Sequence, residues 1–136
     1  MAHDPFIGTW KLDPSQNRYE AGSPPQNGLY IIEPLGAGYR ITMKWTTPEG
    51  HSVESAYESI PDGQEYPYDK PAIADAISMT RVDAHTLDSQ SKKGGQVIAY
   101  ARRVLSEDGQ TMSITQSGTK PDGTRFSNKS VYYRQS

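Results

Sequence analysis

Regularly spaced turns, more than any motif, constrain what this 136-residue chain can fold into. Four triplets of similar chemistry punctuate it: Pro48-Glu49-Gly50, Pro61-Asp62-Gly63, Glu107-Asp108-Gly109 and Pro121-Asp122-Gly123. Proline presets φ for the first turn position, an acidic side chain can bond its own backbone, and glycine accepts positive φ. Gly36-Ala37-Gly38 and Lys93-Gly94-Gly95 break the chain in the same way. The segments between these breaks are strand-length, rich in Tyr, Ile, Val and Thr, and carry no long helical period. Short strands between regular turns describe an all-β sandwich or barrel.

Strands are predicted near residues 6–13, 28–34, 39–46, 51–60, 64–69, 76–82, 85–91, 96–105, 110–117 and 124–135. Alternation is clearest where Tyr39, Ile41, Met43 and Trp45 oppose Arg40, Thr42, Lys44 and Thr46. One face is apolar and the other solvated, as a barrel wall requires. Met112 and Ile114 oppose Thr111, Ser113 and Thr115 in the same manner. On the last strand Phe126, Asn128, Ser130, Tyr132 and Arg134 share a side. Strand 96–105 is ambiguous: Val97, Ala99 and Ala101 lie on one side, Ile98, Tyr100 and Val104 on the other, and each side carries one arginine. Its inner face stays unassigned. Pro14, Gly22, Pro24 and Pro25 exclude a helical pair between Asp13 and Asn27. A helix of at most two turns is expected from Pro71 to Ala76, where it would cap a barrel mouth.

The length fits one domain over 1–136. Hydrophobic content is only 34%, with two Phe against nine Tyr, two Trp and four Met. Those residues pair an apolar body with a polar tip or a flexible stem, which suits a lined cavity as well as a core. A net charge of −2 without a basic run leaves no electrostatic footprint for nucleic acid. No apolar stretch reaches 18 residues, so membrane insertion is not expected. Without cysteine there is no disulfide framework, thiolate nucleophile or Cys-based metal site. Met1 to Pro5 carries no basic-then-apolar pattern, and a cytoplasmic protein is the expectation.

The two ends of the chain complete the reading. Phe6-Ile7-Gly8-Thr9-Trp10 opens the first strand and Tyr132-Tyr133-Arg134 closes the last. Gly8 would let backbones approach, Trp10 would plug the floor, and Arg134 would stack on the indole. This Gly-x-Trp and distal Arg resemble the signature of the calycins, the group of lipocalins and fatty-acid-binding proteins. The resemblance implies a closed antiparallel up-and-down β-barrel of 8–10 strands with at most one or two short helices, holding a small molecule. Fatty-acid-binding proteins hold a carboxylate partly through an Arg-x-Tyr pair on the last strand. That pair falls here on Ser130 and Tyr132, and serine supplies no cation. Unless Arg81, Arg102 or Arg103 substitutes from another strand, a fatty-acid carboxylate is poorly served, and a neutral or polar-tipped aromatic ligand fits better.

No residues are assigned to catalysis, and no cofactor or metal is expected. His3, His51 and His85 lack metal-pair spacing, and no Gly-x-Ser-x-Gly elbow is present. Glu54 and Glu58 share a face, read as a solvent-side row; buried among tyrosines, either would be a base. Tyr39, Met43, Trp45, Met112, Asn128 and Tyr132 are expected to line a cavity, with Tyr66 and Tyr68 at its mouth. The function expected is binding of a small apolar or amphipathic molecule by a monomer or weak homodimer. The alternative is a cyclase or isomerase on the same scaffold. A third reading is a barrel filled by its own side chains.

Overall fold

A computed structural model of the chain describes residues 4–20, 24–68, 74–119 and 122–135. The strands are β1 (Gly8–Leu12), β2 (Arg18–Tyr19), β3 (Asn27–Leu35), β4 (Gly38–Thr46), β5 (Ser52–Ser59), β6 (Asp62–Pro67), β7 (Ala76–Asp83), β8 (Thr86–Lys93), β9 (Gln96–Leu105), β10 (Thr111–Thr119) and β11 (Arg125–Gln135). Ten of them pair antiparallel in the order β5-β4-β3-β1-β11-β10-β9-β8-β7-β6. The path bends into a nearly closed barrel: β5 and β6 approach each other but share no ladder among the described residues.

Aspartates build the turns. The side chains of Asp62, Asp83, Asp108 and Asp122 each accept the backbone N–H two residues on, at 2.8–3.1 Å. The backbone bonds hold the Asp62 and Asp83 carboxyls below their ordinary range, and at Asp108 and Asp122 the hydroxyls of Ser106 and Thr124 lower them most, with the backbone bond adding to the effect. The described part of the loop after β1 carries a 3-10 turn, Pro14–Gln16, and then β2, which pairs with β11 at Lys129 and Asn128. Residues 71–73 of the expected helix lie outside the described residues. Ala74 and Asp75 are not helical, and Ala76 already begins β7.

One end of the barrel is sealed by the pairing of β1 with β11, in which Trp10 and Arg134 are direct partners. The Arg134 guanidinium lies 4.3 Å from the centre of the Trp10 ring. It donates to the carbonyls of Gly109 at 2.9 Å and Ile7 at 2.8 Å, and also to that of Pro5. Trp10 Nε1 donates to the Phe6 carbonyl at 3.1 Å, and both rings are fully buried. Gly8 has φ of +146°, and a Cβ there would stand 2.5 Å from Arg134 Nη1. A side chain there would have to displace that guanidinium from the indole and its carbonyls.

The dry core stands on this floor: Ile32, Ile41, Met79, Leu87, Leu105 and Met112 join Phe6 and Trp10 in one cluster. Asp4 adds a clasp beside the open seam. Its carboxylate accepts the Tyr39 hydroxyl from β4 and Arg81 Nη2 from β7, the latter at 2.9 Å. The ladder missing between β5 and β6 is thus bridged by side chains anchored one strand further out on each side.

Candidate ligand-binding site

The barrel is hollow away from the sealed floor, and the reason lies in side-chain size. On β8 and β9 the inward residues are Ser89, Ser91 and Ala101; across the barrel β3, β4 and β5 present Tyr30, Met43, Trp45 and Tyr57. Small residues facing large ones leave a slot of about 410 Å³, within the range of small-molecule sites. Tyr19, Pro48 and Tyr68 complete its lining.

One of the two cations in the described lining of this slot is buried, the other being the exposed Lys44. Arg103 projects inward from β9 and is 3% exposed. Its Nη2 donates to the hydroxyls of Tyr30 at 3.0 Å and Tyr57 at 3.1 Å, and its Nη1 to Ser89 Oγ at 3.0 Å. Its buried Nε has no partner. No carboxylate pairs with it among the described residues, whose ion pairs all lie elsewhere. Both tyrosines accept from the guanidinium, so each keeps its hydroxyl proton for another acceptor. Together these groups form a pocket of donors around an unneutralised charge.

The other two arginines expected as possible cations, Arg81 and Arg102, are committed elsewhere. Arg81 binds Asp4 on the floor, and Arg102 points outward in a two-pronged pair with Asp88 at 2.7 Å. β9 therefore turns Ala99, Ala101, Arg103 and Leu105 inward and leaves Ile98, Tyr100 and Val104 exposed.

Of the residues expected to line a cavity, Met43, Trp45, Tyr68 and Tyr132 stand on its wall. The remaining four lie elsewhere. Tyr39 shares the inward face of β4 but is four residues below Met43, about 13 Å along the strand, where it joins the Asp4 clasp. Met112 is fully buried in the dry core. Asn128 is tied to the crossing loop, its Oδ1 accepting the Glu20 N–H at 2.8 Å. Tyr66 donates to Asp62 at 2.9 Å, off the cavity wall. Glu58 pairs with Arg40 at 3.7 Å on the exterior, and Glu54 is exposed beside it.

Tyr30, Tyr57 and Ser89 are the residues that sequence reasoning missed, while Arg103 was named there only as one of three arginines able to supply a cation. Tyr30 and Tyr57 carry a usable signal, since each alternates with inward neighbours, Gly28 and Ile32 or Ser55 and Ser59. Burial pushes the phenols of Tyr57 and Tyr132 above their ordinary value, as it does Tyr39, where the Asp4 carboxylate adds to the effect. A raised phenol leaves stability intact below the ordinary value near pH 10 and removes it as pH climbs further. An alkaline titration should therefore ionise the exposed tyrosines first, and Tyr39, Tyr57 and Tyr132 only as the sheet unfolds. Tyrosinate absorbance saturating near pH 10 with the circular dichroism unchanged would contradict this.

With the geometry in hand, the barrel can be set beside known structures. The crystal structure of zebrafish ileal bile acid-binding protein complexed with cholic acid aligns over 96% of this chain and 99% of its own, with a TM-score of 0.56 and 12% identity. The fold is that of the calycins. The siderocalin Ex-FABP aligns over 96% of this calycin-like chain and 71% of its own, with a TM-score of 0.42 and 12% identity. No family model matches the sequence. No curated protein matches it significantly either. No helix of the described residues is long and apolar enough to cross a membrane.

Proposed function

We propose that this barrel binds one small amphipathic molecule in the slot, with an anionic group of that molecule against Arg103. The unpaired, buried guanidinium carries the reading. Taking an ion out of water costs several kcal/mol, and three neutral oxygens repay only part of that. An oxyanion placed there would meet the charge and the free hydroxyl protons of Tyr30 and Tyr57 together. Above it, Met43, Trp45, Tyr68 and Tyr132 offer apolar and aromatic surface to the rest of the ligand. The zebrafish barrel of the same fold is complexed with cholic acid, in keeping with a small-molecule cargo. Binding is favoured over proton-transfer chemistry because the described lining contains no Asp, Glu or His, and because Tyr57 and Tyr132 are shifted away from acting as bases near neutrality.

Titration calorimetry with 2-naphthoate, a rigid aromatic carboxylate, tests this reading. Saturation at one molecule per barrel is expected, with quenching of Trp45 fluorescence on the slot wall. A flat titration from both probes would refute it.

A further inference from the structure

The inner row of β10 contains one residue that neither the core nor the anion pocket uses. Met112 and Ile114 are buried against the cluster and Gly118 is buried further along, but Gln116, on the same face, is exposed and lines the slot. Its amide has no side-chain hydrogen bond to any described residue. It pairs across the ladder with Ala101, two residues from Arg103 and so about 7 Å along the strand from it. On the far side of β9, Ser91 also lines the slot, opposite Ala99. Gln116 and Ser91 thus flank a strand whose inward side chains here are only methyl groups, and the space between them is open.

We infer that Gln116 and Ser91 form a second polar station, which selects ligands carrying an uncharged hydroxyl at the end opposite their acid group. The inference rests on the binding reading above. The chemistry of the station sets the class. A carboxamide offers both donor and acceptor, as does a serine hydroxyl, and a ligand hydroxyl can answer both. Neither side chain carries charge, so the station does not compete with Arg103 for the anion. The separation along β9 asks for a rigid spacer of one or two rings, and the aromatic wall opposite gives that spacer a flat surface to lie on. A simple alkyl-chain acid would leave the amide facing apolar carbon, a penalty that discriminates against it.

The test compares 2-naphthoate with 6-hydroxy-2-naphthoate, which places a hydroxyl and a carboxylate at opposite ends of one bicycle. The wild-type protein is expected to bind the hydroxylated acid about tenfold more tightly. Gln116→Leu should bring the ratio between the two ligands close to unity, and Ser91→Ala should reduce it. Equal affinities in the wild type, or a preference that survives in both variants, would overturn the inference and leave the binding reading standing. Failure of both naphthoates to bind would overturn the binding reading and this inference together.

Discussion

Replacing Arg103 by methionine is expected to stabilise the protein and to remove its affinity for organic anions. The two effects share one cause. The guanidinium is almost wholly buried, its Nε lacks a partner, and no carboxylate among the described residues neutralises it. Methionine has similar length and needs no hydrogen bonds, and exchanges of buried ionic groups for apolar ones have stabilised other proteins by about 1–4 kcal/mol. Tyr30, Tyr57 and Ser89 lose a donor but still face a cavity large enough for water. Denaturant unfolding should give a higher midpoint, by about 1–3 kcal/mol in stability. The same variant should bind 2-naphthoate at least about 100-fold more weakly, because a buried anion then meets no countercharge. A variant that is destabilised by more than about 1 kcal/mol, or that keeps its affinity, would show that Arg103 is structural and that the anion pocket is misassigned. A purely structural arginine gives the opposite sign in the stability measurement, so the two roles are separable.

Trp10→Ala should have the largest effect on stability. The indole is fully buried, donates to the Phe6 carbonyl and carries the Arg134 guanidinium on its face. Large aromatic deletions from cores cost about 3–5 kcal/mol, against a total stability of about 5–15 kcal/mol for a domain. The unfolding temperature should fall on the order of 15 °C. Because the chain has two tryptophans, the variant leaves Trp45 as the sole tryptophan, which reports on the slot wall. Loss below about 1 kcal/mol would mean that the floor is not a cooperative part of the barrel. Gly8→Ala tests the same floor by strain, since it needs positive φ and displaces Arg134 by contact.

Most strands could be read to within a few residues because turn chemistry and two-residue alternation are local, while the two-residue β2 was not read and β6 begins two residues earlier than expected. Asp-Gly and Gly-Gly pairs dictate where the backbone reverses, and Tyr39-Ile41-Met43 against Arg40-Thr42-Lys44 already states which face is apolar. The same reasoning stalls on β9. There the bulky side chains Ile98, Tyr100 and Val104 face solvent, and alanines, Arg103 and Leu105 face inward. Alternation divides a strand into two sides but does not say which is inside; pairing partners do. Arg103 sits opposite Leu87 on β8 and Ile114 on β10, both buried, and that register turns it inward.

Inwardness, moreover, does not say how far along the barrel axis a residue lies. Tyr39 and Met43 share a face, yet one belongs to the floor clasp and the other to the slot. Asn128 looked like lining, but Glu20 claims it, a contact between residues 108 apart in the chain. What local chemistry determined by itself was the all-β character and most strand limits to within a few residues, since these depend on neighbours in sequence. The Trp10–Arg134 closure was expected from the two ends of the chain and their resemblance to the calycins, and the β1–β11 pairing realises it. Only the tertiary structure decided where the hollow lies and that a lone guanidinium stands in it. Both follow from strands far apart in the chain facing one another across the barrel, with small side chains meeting large ones.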